Sequence, residues 1–207
     1  MANCVIFCAG EFHGLAEPIC AEDYIIAADG GLRHCEALGI TSDLILGDFD
    51  SLGHIPQKAA VYPVEKDDTD SMLAIRQGLE KGFARFLLYG AMEGPRLDHT
   101  VANLQSLNFL ADRGARGYLV GKTQIATVVK NGVISFPAEA EGIVSVFCMG
   151  ENAQGVTLRG LKYPMENGEL TASFPLGVSN RFLGKAGEIS AQQGALLVIY
   201  HRQNGLL

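Results

Sequence analysis

With 207 residues, 48% hydrophobic and 19% charged, the chain has the make-up of an ordinary globular protein of one large domain or two small ones. A net charge of −7 and the lack of any Lys/Arg-rich tract exclude a nucleic-acid surface, so a bound phosphate must be met by a local device such as a metal ion. The start MANCVIFCAG lacks the basic n-region of a secretory signal, and no apolar run approaches the ~18 residues that span a bilayer. A cytoplasmic location with no membrane partner is the expectation.

In chain order, the first 120 or so residues alternate apolar runs with helical patterns. The runs are Asn3–Cys8, Tyr24–Ala28, Leu44–Leu46, Ala59–Val64, Arg85–Tyr89 and Gly117–Val120. Several are continuously apolar, as strands buried on both faces must be, which predicts a parallel sheet. A short helix between Gly31 and Leu38 stops at Gly39. A second carries Met72, Ile75, Leu79 and Phe83 and stops at Gly82. A third opens near Asp98, carries Val101, Leu104, Leu107 and Ala111 on one face, and stops at Gly114.

From about Thr123 the pattern changes. Asn131-Gly132 between Ile125–Lys130 and Val133–Phe136 predicts a hairpin, and Asn167-Gly168 predicts another between Leu161–Met165 and Glu169–Ser173. Further strands are expected at Gly142–Met149, Val156–Leu158, Gly187–Ala191 and Ala195–His201. The fold class predicted is α/β: a Rossmann-like, mostly parallel sheet domain over 1–122, followed by an antiparallel β-sandwich over 123–207. The five cysteines, Cys4, Cys8, Cys20, Cys35 and Cys148, are odd in number, form no CxxC pair and mostly sit in apolar runs; reduced core positions are expected.

The acids fall where strands end. Asp29 follows YIIAA, Asp48 and Asp50 follow LILG, Asp67, Asp68 and Asp70 follow AVYPV, and Asp98 follows RFLLYG after a short loop. The carboxyl ends of parallel strands share one edge, so four loops bring carboxylates together. Their mutual repulsion is relieved by a divalent cation, and oxygen-only donors favour Mg²⁺. Asp70 and Asp98 also suit helix N-caps, Asp29-Gly30-Gly31 a tight turn, and Asp67-Asp68 a partly solvated charge run. Asp48 and Asp50, alternate residues of an extended segment, are expected to face one ion while Phe49 turns inward. Arg96 suits a phosphate fork, His99 and Asn103 lie one turn apart on one face, and Gly177-Val178-Ser179-Asn180 reads as a polar turn.

ADGG (Ala28–Gly31), GDFDS (Gly47–Ser51), DDTD (Asp67–Asp70), RLDHTVAN (Arg96–Asn103) and the late Ser179-Asn180, in this order, resemble thiamine pyrophosphokinases. The resemblance implies a homodimer that moves a pyrophosphoryl group from ATP to thiamine bound at the subunit interface, releasing AMP. It implies Asp48, Asp50 and Asp70 as Mg²⁺ and triphosphate ligands, with the catalytic Asp98 in the same cluster either as a metal ligand or as the base that takes the thiamine hydroxyl proton. It implies ATP contacts from Asp29, Gly30, Gly31, Thr69, Arg96, His99 and Asn103, and thiamine contacts from Ser179 and Asn180. The chain departs from the pattern at Met92-Glu93-Gly94-Pro95, where a Gly-Gly or Gly-Arg run is usual, and it has no Trp. Alternatives are pyrophosphoryl transfer to another small alcohol, a non-catalytic sensor of nucleotide or thiamine, and a D-x-D phosphatase of the haloacid dehalogenase type. That last motif wants Thr or Val where this chain has Leu52.

Overall fold

Continuous apolar strands dictate a sheet buried on both faces, and the computed structural model, which describes residues 2–50, 52–63, 67–203 and 205–207, has one. Ser51 of GDFDS, Val64 and Lys66 fall outside the described residues. Six strands run parallel: β1 (Cys4–Phe7), β2 (Tyr24–Ala28), β3 (Leu44–Gly47), β4 (Ala60–Val61), β5 (Arg85–Tyr89) and β6 (Arg116–Val120). Their order is β4-β3-β2-β1-β5-β6, so the chain reverses direction across the sheet between β1 and β5. That reversal is the switch point at which loops from both sides splay apart and leave a crevice.

Side chains alternate across the sheet, and each face has its own core. Val5 and Phe7 point to one face with Leu32 and Cys35 of α1 (Leu32–Leu38). Cys4, Ile6 and Cys8 point to the other, covered by Ile75 of α2 (Asp70–Glu80) and Leu107 and Leu110 of α3 (Leu97–Ala111). The helices stop as the glycines predict, with Gly39, Gly82 and Gly114 at φ of 65°, 86° and 73°. The core side of α3 differs from the expected stripe: Asn103, Ser106, Leu107 and Leu110 are buried, whereas Val101 is 48% exposed. The three-residue spacing identifies a face; it does not show which turns of that face the core covers.

The antiparallel half is β7 (Gln124–Lys130), β8 (Val133–Phe136), β9 (Ile143–Cys148), β10 (Asn152–Arg159), β11 (Met165–Thr171), β12 (Gly177–Arg181), β13 (Gly187–Ser190) and β14 (Ala195–His201). β7 pairs with β6, and β14, β9 and β12 follow, so ten strands form one continuous sheet across both halves. A second sheet, β11-β10-β13-β8, packs on it through Ile134, Phe136, Leu158 and Ile189 against Val144, Leu196, Val198 and Tyr200.

Both predicted hairpins need correction. Asn131 adopts φ 46°, but the strands it joins separate: β7 lies between β6 and β14, while β8 pairs with β13 in the other sheet. Asn167-Gly168 is not a hairpin turn either. It lies inside β11, where the register with β10 shifts and Asn167 takes φ 50° to accommodate a bulge. The cysteine expectation holds for Cys4, Cys8 and Cys35, which are buried; Cys148 is half-buried and Cys20 is exposed. No helix among the described residues is long and apolar enough to cross a membrane.

Candidate active site

A cleft of about 390 Å³ opens at the switch point. Its walls come from Cys8, Ala9 and Gly10 after β1, Ala28 and Asp29 after β2, Thr69, Asp70 and Ser71 at the start of α2, and Gly90, Ala91 and Glu93 to Arg96 after β5. His99, Thr100 and Asn103 of α3 complete it.

Asp29 begins a single 3₁₀ turn, Asp29–Gly31, that carries β2 into α1. Gly31 is required there: a Cβ would lie 1.9 Å from the carbonyl oxygen of Phe7, so the turn can pack against the end of β1 only with no side chain. Asp29 itself takes φ 46°. The next strand approaches it from the side, for Gly47 has φ 147° and a Cβ on it would stand 3.1 Å from Asp29 Cα. The segment after Gly47 is not extended, which corrects the alternation expected for it. Phe49 adopts φ 60° and is 2% exposed, and its carbonyl accepts from the N–H groups of Leu52 and Gly53. The turn still aims Phe49 inward and both acids outward, by a left-handed residue rather than by a pleat. Asp50 N–H donates to Asp48 Oδ1 at 3.3 Å. Non-glycine residues at positive φ cost about 1 kcal/mol each, and two of them shape this site.

As a result, Asp29, Asp48 and Asp50 each offer an oxygen within 4.8 Å of the others. The trio differs from the expected set: Asp29 joins Asp48 and Asp50, and Asp70 lines the cleft beside Asp29 without belonging to that group. Three carboxylate oxygens at this spacing, with no nitrogen or sulfur donor among them, fit a hard divalent cation such as Mg²⁺.

Thr69 rather than Asp70 caps α2, accepting from Met72 N–H at 3.2 Å. Its Oγ1 lies 3.0 Å from Ser71 Oγ, which donates to Asn103 Oδ1 at 2.8 Å, and Asn103 Nδ2 donates to the Ala91 carbonyl at 2.7 Å. Asn103 is thus a buried brace between two helices and the loop after β5. Arg96 occupies the cap position of α3 without a side-chain capping bond, so Asp98 is not the cap. Asp98 sits in the first turn, 65% exposed and paired with Arg96 at 2.6 Å, outside the cleft lining. The Arg96 guanidinium holds its carboxyl below the usual carboxylate range. Asp68 is paired with Arg76 at 2.8 Å, and with Asp67 it faces a separate groove between α2 and α3, in keeping with a charge run apart from the site.

Ser179 and Asn180 lie elsewhere, on β12 at the sheet's far edge, in a bulged strand rather than a free turn. Ser179 takes φ 59°. Asn180 is 3% exposed: its Oδ1 accepts from the N–H groups of Tyr163 and Arg181, each at 2.9 Å, and its Nδ2 donates to the Tyr163 carbonyl at 2.7 Å. The residues that sequence reasoning missed are Cys8, Ala9 and Gly10, Glu93, Ser71 and Thr100. The first three carried a signal, a small-residue run at the end of the strand that becomes the switch point. Burial, and secondarily the neighbouring Asp70, pushes the Cys8 thiol up to about 12, so it lines the cleft as an apolar wall.

Parallel sheet, acid-ringed cleft at its switch point and antiparallel sandwich built onto the same sheet together define a two-part α/β enzyme. The family model described as "Thiamin pyrophosphokinase, catalytic domain" matches residues 17–119, and that described as "Thiamin pyrophosphokinase, vitamin B1 binding domain" matches residues 132–196. A thiamine pyrophosphokinase of Bacillus subtilis (strain 168) is 30% identical over 183 residues, covering 84% of this chain and 85% of that protein. A crystal structure of thiamine pyrophosphokinase from Bacillus subtilis superposes with a TM-score of 0.83 at 25% identity, covering 98% of this chain and all of that one. One from Geobacillus thermodenitrificans gives 0.79 at 26% identity, with both chains fully covered. The chain belongs to the thiamin pyrophosphokinase family and is an enzyme.

Proposed function

We propose that this enzyme is an ATP:thiamine pyrophosphotransferase, dependent on Mg²⁺, in which residues 1–122 bind ATP and residues 123–207 bind thiamine. The observation that carries the metal and nucleotide part is the carboxylate trio Asp29, Asp48 and Asp50 beside the cleft; family membership carries thiamine. Asp48, Asp50 and Asp29 would hold the ion, with Asp70 the fourth carboxylate of the site. Bound there, Mg²⁺ neutralises charge on the triphosphate and on the transferring group.

The chain's own groups do the positioning. Gly30 and Gly31 present backbone at the end of β2, Thr69 and Asn103 fix the start of α2, and Arg96 and His99 stand at the mouth of the cleft. Arg96 exchanges Asp98 for a phosphate oxygen, an anion its fork also fits and which carries more charge; Asp98 contributes by holding the guanidinium in place until then. The thiamine hydroxyl oxygen forms a bond to the β-phosphorus, the bond from that phosphorus to the α,β-bridging oxygen breaks, AMP leaves, and the hydroxyl proton passes to solvent. The barrier is largely one of alignment and charge.

A homodimer with thiamine between subunits has physical support. Six inter-strand steps separate β12 from β1, about 29 Å along the sheet at about 4.8 Å per step, a separation that favours Ser179 serving the cleft of a second copy. Tyr163, Phe174, Leu176, Val178 and Leu183 are exposed near β12, as are Leu97 and Val101 near the cleft mouth, surfaces that call for a cover. A cytoplasmic location fits five free cysteines.

The test is AMP formation from ATP and Mg²⁺ with and without thiamine. Thiamine-dependent AMP release that falls roughly 10²–10³-fold in Asp48→Asn is the expected result; wild-type protein no faster than the variant would refute the assignment.

A further inference from the structure

β14 ends at His201, and the next residue reaches back into the parallel half. Arg202 Nη1 donates to the carbonyls of His13 at 3.1 Å and Gly121 at 2.9 Å, and Nη2 donates to that of Gly14 at 2.8 Å. Gly121 packs so closely on Glu93 that a Cβ would stand 2.4 Å from Glu93 Oε1, which accepts from Lys122 N–H at 2.8 Å. The main-chain oxygen of Glu93 accepts from Glu11 N–H at 3.3 Å, two residues before His13. A closed circuit therefore runs from Arg202 through the loop after β6, through Glu93 after β5, into the loop after β1 and back to Arg202. Gly10 and Glu93, members of two of these loops, line the cleft.

We infer that Arg202 is a positioning residue for the nucleotide: it fixes the spacing of the loops after β1 and β5, so that ATP meets a preformed wall. The inference rests on the assignment of the cleft to ATP. The guanidinium suits the task because one planar fork with five N–H donors can satisfy three carbonyls in fixed directions, which a lysine ammonium on its flexible stem does not. The far side of the β1 loop has its own anchors. Phe12 packs on Phe7, His34 and Tyr89, and His34 Nε2 donates to the Gly10 carbonyl at 2.8 Å. Loss of Arg202 therefore loosens the wall and leaves the fold standing.

The experiment compares Arg202→Met and Arg202→Lys with wild type and with Arg159→Met, a control at an exposed pair with Glu166 outside the circuit. Calorimetric titration with Mg-ATP in the absence of thiamine, steady-state kinetics and thermal melting are read on each. Arg202→Met is expected to weaken ATP binding and raise KM for ATP roughly tenfold, with kcat and KM for thiamine within about twofold, and Arg202→Lys to recover part of the affinity. Unchanged ATP affinity in folded Arg202→Met would overturn the inference, as would a loss spread evenly over both substrates and tracking the melting temperature. If Arg202→Met does not fold, Arg202→Lys carries the same comparison. The calorimetric arm needs no turnover. Wild type that binds ATP without making thiamine diphosphate overturns the pyrophosphotransferase assignment while a weakened variant still upholds Arg202; wild type that binds no ATP overturns both.

Discussion

Asp29, Asp48 and Asp50 bring carboxylate oxygens within 4.8 Å of one another, and like charges at that range repel. Removing one charge should relieve that repulsion. In metal-free buffer Asp48→Asn is expected to melt at or above the wild-type temperature, and added Mg²⁺ to raise the melting point of wild type but not of the variant. A variant that melts lower without metal and responds equally to Mg²⁺ would show that the trio is not an ion site. Two of these acids were legible, since a strand running into G-D-F-D announces them. Asp29 was legible as a strand-end acid of the same edge, but its meeting Asp48 and Asp50 at one point was not, because that depends on a left-handed turn and on the side-chain-free approach of Gly47, neither of which leaves a periodic trace. Asp98 looked like a helix cap, and the structure gives the cap position to Arg96, whose guanidinium pairs with the Asp98 carboxylate.

The elements were legible wherever burial sets the pattern. β1, β2, β5 and β6 fall on continuous apolar runs, and α1 and α2 end at their glycines. The hairpins failed because Asn-Gly encodes a local backbone reversal and says nothing about which strands pair. β7 has neighbours on both edges within the large sheet, while Ile134 and Phe136 take β8 into the facing sheet. β12 carries a comparable ambiguity, for Ser179-Asn180 looks like a turn and is a bulged edge strand. Asn180 clamps the loop at Tyr163 through two hydrogen bonds of its buried side chain, and its Oδ1 also accepts from the Arg181 N–H. Asn180→Ala should lower stability by about 1–3 kcal/mol in chemical denaturation and raise KM for thiamine more than KM for ATP. Equal changes in both constants would confine the residue to a structural role.

The ten-stranded sheet joins both halves, with β12 at one edge and the cleft at the switch point between β5 and β1, five to six strands away. This geometry makes a site shared between two copies the economical solution, and it makes the activity of mixtures informative. Asp48→Asn spoils a cleft and Ser179→Trp blocks a β12 edge; a mixed dimer keeps one site built from the undamaged cleft of one chain and the undamaged edge of the other. Equimolar mixing and reassociation of the two inactive variants should restore about a quarter of wild-type activity if the dimer is twofold symmetric, and no recovery would place each site within a single chain.

The central claim is that the strand-end carboxylates hold a triphosphate whose two outer phosphates move together to thiamine. ATP labelled at the β-phosphorus tests it in a single turnover with Mg²⁺ and thiamine. The label should appear in thiamine diphosphate, with unlabelled AMP in equal amount, and Asp48→Asn should abolish the transfer. Labelled ADP beside thiamine monophosphate, or label released without thiamine, would contradict the account.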